Sequence, residues 1–171
     1  MQKTIFIIGY MGSGKSRLAK VLSDHLDCSH HDLDHLISQT HGKTIEEIFN
    51  SDGEIAFRKM ENKQLRLLNG SFGVVSVGGG TPCYFDNMDW MKSNGITIYL
   101  RAKISTLVKN LSHQTNLSRP LLNGVKDNDL PEFIAKHLFE RQYFYEQALI
   151  RCNIESVGWE EALIQKLTYL N

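Results

Sequence analysis

The chain has 171 residues, 42% of them hydrophobic and 22% charged, enough for one domain with a proper core. Lys plus Arg and Asp plus Glu both number 19, so the net charge is zero and counterion release offers little to a nucleic-acid partner. With no basic block, membrane-length apolar run or secretory pattern in view, we expect no nucleic-acid or membrane partner, a cytoplasmic location and a monomer.

Thr4 to Ile8 is a short β-rich apolar run, the pattern of a strand buried on both faces. Gly9-Tyr10-Met11-Gly12-Ser13-Gly14-Lys15-Ser16 follows and fits G-x-x-x-x-G-K-[ST]. Arg17 to Leu26 then reads as a helix, with Leu18, Ala19, Val21, Leu22 and Leu26 on one side. Strand, glycine-rich loop and helix make an anion nest at a helix N-terminus. The nucleotide-holding set is therefore Gly12, Ser13, Gly14, Lys15, Ser16 and Arg17, with Lys15 on phosphate and the Ser16 hydroxyl on Mg²⁺. The Arg17 side chain itself reads as a surface ion pair, like Arg66 and Arg101.

Asp27 to His31 is the predicted second strand, though more polar than a buried strand should be. A short helix from His35 to Thr40 ends near Gly42. Thr44 and Glu47 form a capping box, and another helix starts at Ser51–Glu54 and runs to Leu68, with Phe57, Met60, Leu65 and Leu68 inward. Phe72 to Val77 is a strand entering Gly78-Gly79-Gly80, Asp86 to Lys92 a helix, Ile96 to Leu100 a strand, and Ile104 to Leu111 a helix. Ser112 to Asp129 has no period, which in a compact domain suggests a functional loop or a lid. Pro131 opens a helix to about Ala148, Ile150 to Glu155 is a last strand, and Trp159 to Leu170 a closing helix. Strands alternating with helices imply a parallel sheet covered on both faces, an α/β domain spanning 1–171. Cys28, Cys83 and Cys152 are scattered and odd in number, which fits reduced thiols used as filler.

Asp32 and Asp34 follow the second strand, at the end of the sheet where ligands gather. A lone Asp-x-Asp there is commonly a helix cap plus a solvated charge. Beside a phosphate loop, one carboxylate facing a metal and the other an acceptor hydroxyl is the better reading. His30, His31 and His35 offer a metal cluster instead, but no distant ligand pair has matching spacing. Arg119 is held extended before Pro120, suited to a lid that brings positive charge to a transferring phosphate. Arg58 and Arg141, on helices, have the fork that grips a carboxylate. Three successive glycines mark a bare backbone wall close to a small substrate.

In this order, GYMGSGKS (9–16), DLD (32–34), GEIAFRKME (53–61), GGG (78–80), SRPLL (118–122) and ERQYFYEQA (140–148) resemble shikimate kinase, over residues 4 to about 150. The resemblance implies a P-loop NTPase fold, a five-stranded parallel sheet in three layers with a mobile lid at about 112–129. It implies transfer of the ATP γ-phosphoryl group to the 3-hydroxyl of shikimate, on the way to chorismate and the aromatic amino acids. Carried over, Ser16 and (through water) Asp32 hold Mg²⁺, and Lys15 binds phosphate. Asp34 orients and deprotonates the hydroxyl, Arg58 and Arg141 grip the carboxylate, Gly79 and Gly80 line the pocket, and Arg119 is the lid arginine. This chain departs from the family in its polar second strand, in Lys109 and Asn110 where an adenine-stacking arginine is common, and in Ser156-Val157-Gly158 after the last strand. Two other readings stand beside it: a related kinase of a polyol acid such as gluconate, and a nucleotide-binding regulatory domain without catalysis.

Overall fold

The computed structural model describes residues 3–68, 70, 72–112, 120–122 and 124–170, with the Pro120 side chain left aside. Five strands, β1 (Thr4–Ile8), β2 (Ser29–Asp32), β3 (Gly73–Ser76), β4 (Gly95–Arg101) and β5 (Ile150–Asn153), form one parallel sheet in the order β2-β3-β1-β4-β5. Register pairs Ile5 with Val74 and Ile96, and Ile98 with Ile150. Seven helices among the described residues cover it: α1 (Lys15–Leu26), α2 (Leu33–His41), α3 (Ile45–Leu67), α4 (Asn87–Asn94), α5 (Ile104–Ser112), α6 (Leu130–Tyr145) and α7 (Trp159–Leu170).

Successive β1 residues serve opposite cores, as the two-residue period of a strand requires. Ile5 and Ile7 pack with Leu18 and Leu22 of α1 and Leu163 and Leu167 of α7. Phe6 and Ile8 pack with residues of α2 to α6, among them Ile37, Leu65, Met91, Leu107 and Ile134. All five β1 residues are buried, so the continuous apolar run follows from a central strand sandwiched between two helical layers.

The polarity of β2 has a positional cause. It is an edge strand, with Ser29 and His30 exposed and His31 and Asp32 half-buried. Its start also differs from the predicted Asp27: α1 closes with Asp27 in the left-handed region (φ 49), where the Cys28 N–H bonds back to Ser23 O, and pairing begins at Ser29. The helices expected around Thr44 and from Gly53 follow one another within α3, separated by a non-helical break at Gly53 (φ 81, ψ 170). Its capping box is formed: Glu47 N–H donates to Thr44 Oγ1 at 3.2 Å, and Thr44 N–H to Glu47 Oε2 at 2.7 Å. α6 and β5 end at Tyr145 and Asn153, short of the predicted Ala148 and Glu155. The cysteines are free, and burial pushes the Cys83 thiol up to about 11.

Candidate active site

The loop between β1 and α1 turns at Gly12 and Gly14, both left-handed (φ 80 and 92), a conformation that costs a glycine little. That winding opens a cavity of about 650 Å³ lined by Met11 through Arg17. The Lys15 ammonium donates to Gly9 O at 3.0 Å and Tyr10 O at 3.1 Å, so it lies along the loop it is meant to serve. Ser13 Oγ is closed off from solvent with no hydrogen-bond partner among the described residues. Arg17 is ion-paired with Glu160 of α7 and also lines the cavity.

Asp32 takes the helix-cap position with one oxygen and turns the other toward the phosphate loop. Its Oδ1 caps α2, accepting from Asp34 N at 3.1 Å and His35 N at 3.3 Å. Its Oδ2 accepts from Ser16 Oγ at 3.0 Å and Ser76 Oγ at 2.8 Å, which ties β2 and β3 to the first turn of α1. A hydroxyl and a carboxylate thus meet at the cavity wall, a hard-oxygen pair suited to Mg²⁺, which otherwise prefers water and phosphate. Among the described residues no three His, Cys, Asp or Glu side chains gather as a metal's ligands. His30 Nδ1 lies 3.5 Å from Ser23 Oγ, and His31 Nε2 3.3 Å from Ser29 Oγ.

A second cavity of about 290 Å³ adjoins the first, and both share Met11, Asp34, Gly78 and Gly79 as wall. Arg58, Glu61, Gly80, Leu121 and Arg141 complete much of its lining. The Asp34 carboxylate stands at the junction, its Oδ1 shielded from solvent and without a hydrogen-bond partner among the described residues. Burial, reinforced by the charges of Glu61 and Asp32 against the opposing pull of Lys15 and Arg58, raises its pKa from 3.8 to about 7.

Arg58 is fixed on several sides. Nη1 donates to Glu61 Oε2 at 2.7 Å, while Nη2 and Nε reach Glu54 Oε1 at 3.0 and 3.3 Å. The guanidinium also lies over the Tyr84 ring at 4.5 Å. The bonds to Glu54 and Glu61 use Nε and one of the two N–H groups on each terminal nitrogen. The fork lies flat against Gly80, where a methyl group would stand 2.7 Å from Cζ and both terminal nitrogens. Arg141 is 8% exposed, sits 5.7 Å from the Tyr10 ring, and its Nη1 has no hydrogen-bond partner among the described residues.

Two residues of this site carried no assignment in the sequence. Glu61 is wholly buried and holds Arg58 on one oxygen and Thr81 Oγ1 (2.5 Å) on the other. A methyl on Gly78 would lie 2.7 Å from Glu61 Oε1 and 3.2 Å from Asp34 Oδ1, so the two carboxylates converge on one point of backbone. Tyr145, fully buried and with its hydroxyl pushed far up by that burial, donates to Gly79 O at 2.5 Å and so pins the glycine wall. The spacing of Arg58 and Glu61 at i and i+3 on a helix is the signal that could have exposed the first. Nothing local to the sequence marks the second, since Tyr145 and Gly79 are 66 residues apart.

Of the residues named from the sequence, Gly12, Ser13, Gly14, Lys15, Ser16, Arg17 and Asp32 line the larger cavity and Arg58, Gly80 and Arg141 the smaller, with Asp34 and Gly79 in both. Arg119 lies outside the described residues. Arg66 does pair with Asp86, at 2.5 Å, whereas Arg101 meets no carboxylate as an ion pair among the described residues.

A parallel α/β sheet with a phosphate loop after its central strand, opening on an acid-and-arginine pocket, defines a P-loop NTPase fold equipped as a kinase. The comparisons with known proteins narrow that class. The family model described as shikimate kinase matches residues 11–168. A shikimate kinase of Flavobacterium johnsoniae is 42% identical over 162 residues, 93% of this chain and 94% of that one. The crystal structure of shikimate kinase from Bacteroides thetaiotaomicron superposes with a TM-score of 0.86 at 35% identity, covering 98% of this chain and 97% of that one. The Acinetobacter baumannii shikimate kinase in complex with shikimate also gives 0.86, at 28% identity, with 99% and 93% covered. The chain belongs to the shikimate kinase family.

Proposed function

We propose that this protein transfers the γ-phosphoryl group of ATP to the 3-hydroxyl of shikimate, giving shikimate 3-phosphate and ADP on the route to chorismate. The observation that carries this reading is the wall common to the two cavities, with the Asp34 carboxylate standing in it. A hydroxyl presented from the smaller cavity at Asp34 faces the phosphate end of the larger one.

In this reading Gly12 to Arg17 cradle the triphosphate, and Lys15 leaves its loop carbonyls for the phosphates when they arrive. Ser16 and, through water, Asp32 would hold Mg²⁺, which would supply positive charge against the phosphates. Arg58 and Arg141 take the substrate carboxylate, and Gly79 and Gly80 give it a flat floor. Asp34 accepts the hydroxyl proton as that oxygen bonds to the γ-phosphorus and the bond to the ADP oxygen breaks. Arg119, from a lid spanning about residues 112–129, supplies charge to the transferring group. Leu121 already reaches the smaller cavity, which supports a segment that closes over it. The chain acts as a single-domain monomer in the cytoplasm. Among the described residues no helix is long and apolar enough to cross a membrane.

A coupled assay of ADP release with ATP, Mg²⁺ and a panel of acceptors tests this. Shikimate is expected to stimulate turnover strongly and gluconate not at all. Stimulation by gluconate, or by neither acid, contradicts it.

A further inference from the structure

Three of the four backbone carbonyls from Gly78 to Thr81 are held by groups close by in the chain. Gly78 O accepts from Thr81 N at 3.1 Å, Gly80 O from Cys83 N at 2.9 Å, and Thr81 O from the buried Asn87 Nδ2 at 2.9 Å. Gly79 O is held from far along the chain, by the Tyr145 hydroxyl. A carbonyl can only accept, so the single phenolic proton of Tyr145 is spent on Gly79. Tyr145 ends α6, is wholly buried, packs its ring 5.1 Å from that of Tyr99 and lines neither of the two cavities. Arg141, one turn earlier on α6, brings its guanidinium to the same place: a methyl group on Gly79 would stand 3.7 Å from Nη1. Burial raises the pKa of the Tyr145 hydroxyl, and the neighbouring charge of Arg141 opposes that rise.

What the bond prevents follows from the residues on either side of it. Gly79 C=O and Gly80 N–H belong to one trans peptide unit and point opposite ways, so a carbonyl aimed at Tyr145 turns the Gly80 N–H away from it. Turning the unit over changes ψ of Gly79 and φ of Gly80, and neither residue has a side chain to resist. A reversed unit would turn a carbonyl oxygen toward the smaller cavity at Gly80, beside Arg58 and Arg141, where an anionic group meets repulsion. Building on the proposed acceptor, we infer that Tyr145 is a positioning residue for its carboxylate. The hydroxyl holds the Gly79–Gly80 peptide in the orientation an anion can meet and stations Arg141 beside it, without itself touching the ligand.

Tyr145→Phe removes one oxygen and keeps the ring. The variant is expected to fold with a Tm lower by a few degrees, because Gly79 O loses its partner. Its KM for shikimate should rise about three- to tenfold, the equivalent in affinity of one ordinary hydrogen bond. Its kcat, its KM for ATP and its ADP dissociation constant should move less than about twofold, the mark of lost uniform binding of one substrate. A purely structural tyrosine would lower the Tm and leave that split absent. Tyr99→Phe serves as the packing control, since it takes a hydroxyl from the neighbouring ring and leaves the bond to Gly79 in place. An unmoved KM for shikimate in Tyr145→Phe, an equal rise in the KM for ATP, or the same rise in Tyr99→Phe overturns the inference. Ligand-free crystals of wild type and Tyr145→Phe give a second reading: the Gly79–Gly80 peptide or the Arg141 guanidinium should be reoriented in the variant, and an unchanged wall overturns the inference. Wild type that fails to use shikimate would remove the acceptor assignment, while the crystals would still decide whether Tyr145 sets the peptide.

Discussion

At the scale of single residues, the proposed chemistry depends on one carboxylate kept in an expensive place. Asp34 titrates near 7 mainly because it is buried, and next because Glu61 and Asp32 are beside it. A base must be deprotonated to accept a proton, so kcat/KM for shikimate is expected to rise with pH through a midpoint near 7 and level off above it. Asp34→Asn should nearly abolish turnover and leave ATP affinity within a fewfold of wild type; near-normal turnover would remove Asp34 from the chemistry. Stability should run the opposite way to activity. With a folded pKa of about 7 against an ordinary 3.8, the folded state holds more protons between those values. The contribution of Asp34 is therefore fully present below about pH 4 and is lost as the pH climbs through 7. Asp34→Asn is expected to flatten that slope and to gain on the order of 4 kcal/mol at pH 8, read by urea denaturation at pH 5 and 8; an equal change at both contradicts the burial argument. Glu61→Gln removes a neighbouring negative charge and weakens the hold on Arg58. It should move the acid limb of the pH profile downward and raise the KM for shikimate, and a raised KM with an unmoved limb would leave Glu61 only its hold on Arg58.

At the scale of elements, the bend in α3 aims that hold. Gly53 stands at φ 81 and ψ 170, a region essentially closed to residues with a side chain. Glu54, Arg58 and Glu61 all lie beyond it. Gly53→Ala has open space around the new methyl group, so any cost is backbone strain, on the order of 1–3 kcal/mol. It should also raise the KM for shikimate more than that for ATP, because the arginine fork is re-aimed while the phosphate loop is untouched; equal changes would count against the bend as an aiming device. The same helix shows where sequence is informative. Its capping box and the glycine break are local, so both are legible from residues a few positions apart, and so is the phosphate loop. β2 is legible as a strand, but its polarity is not explained locally, because edge position is a property of the sheet and not of the segment. The Glu61–Asp34 convergence and the Tyr145 hydrogen bond to Gly79 are made at the glycines that follow β3, and β3 lies between β2 and β1, an order that no local pattern encodes.

At the scale of the molecule, the sheet order places the phosphate loop between an acid side and an apolar side, and joins two cavities at Asp34. Apart from that wall the cavities are lined by different residues, so each ligand should stabilise the fold on its own. A ligand at a hundred times its dissociation constant adds about 2.7 kcal/mol, several degrees in Tm for a chain of this size. Shikimate should still raise the Tm of Lys15→Ala, and ADP that of Arg58→Ala; loss of both shifts in either variant would mean one undivided site. The most direct measurement is a crystal structure of the protein with shikimate and a non-hydrolysable ATP analogue. It should show the 3-hydroxyl within hydrogen-bond reach of Asp34 and in line with the γ-phosphorus, and the carboxylate on Arg58 and Arg141. Shikimate bound with its carboxylate on the phosphate loop, or with its 3-hydroxyl turned away from Asp34, would contradict the account.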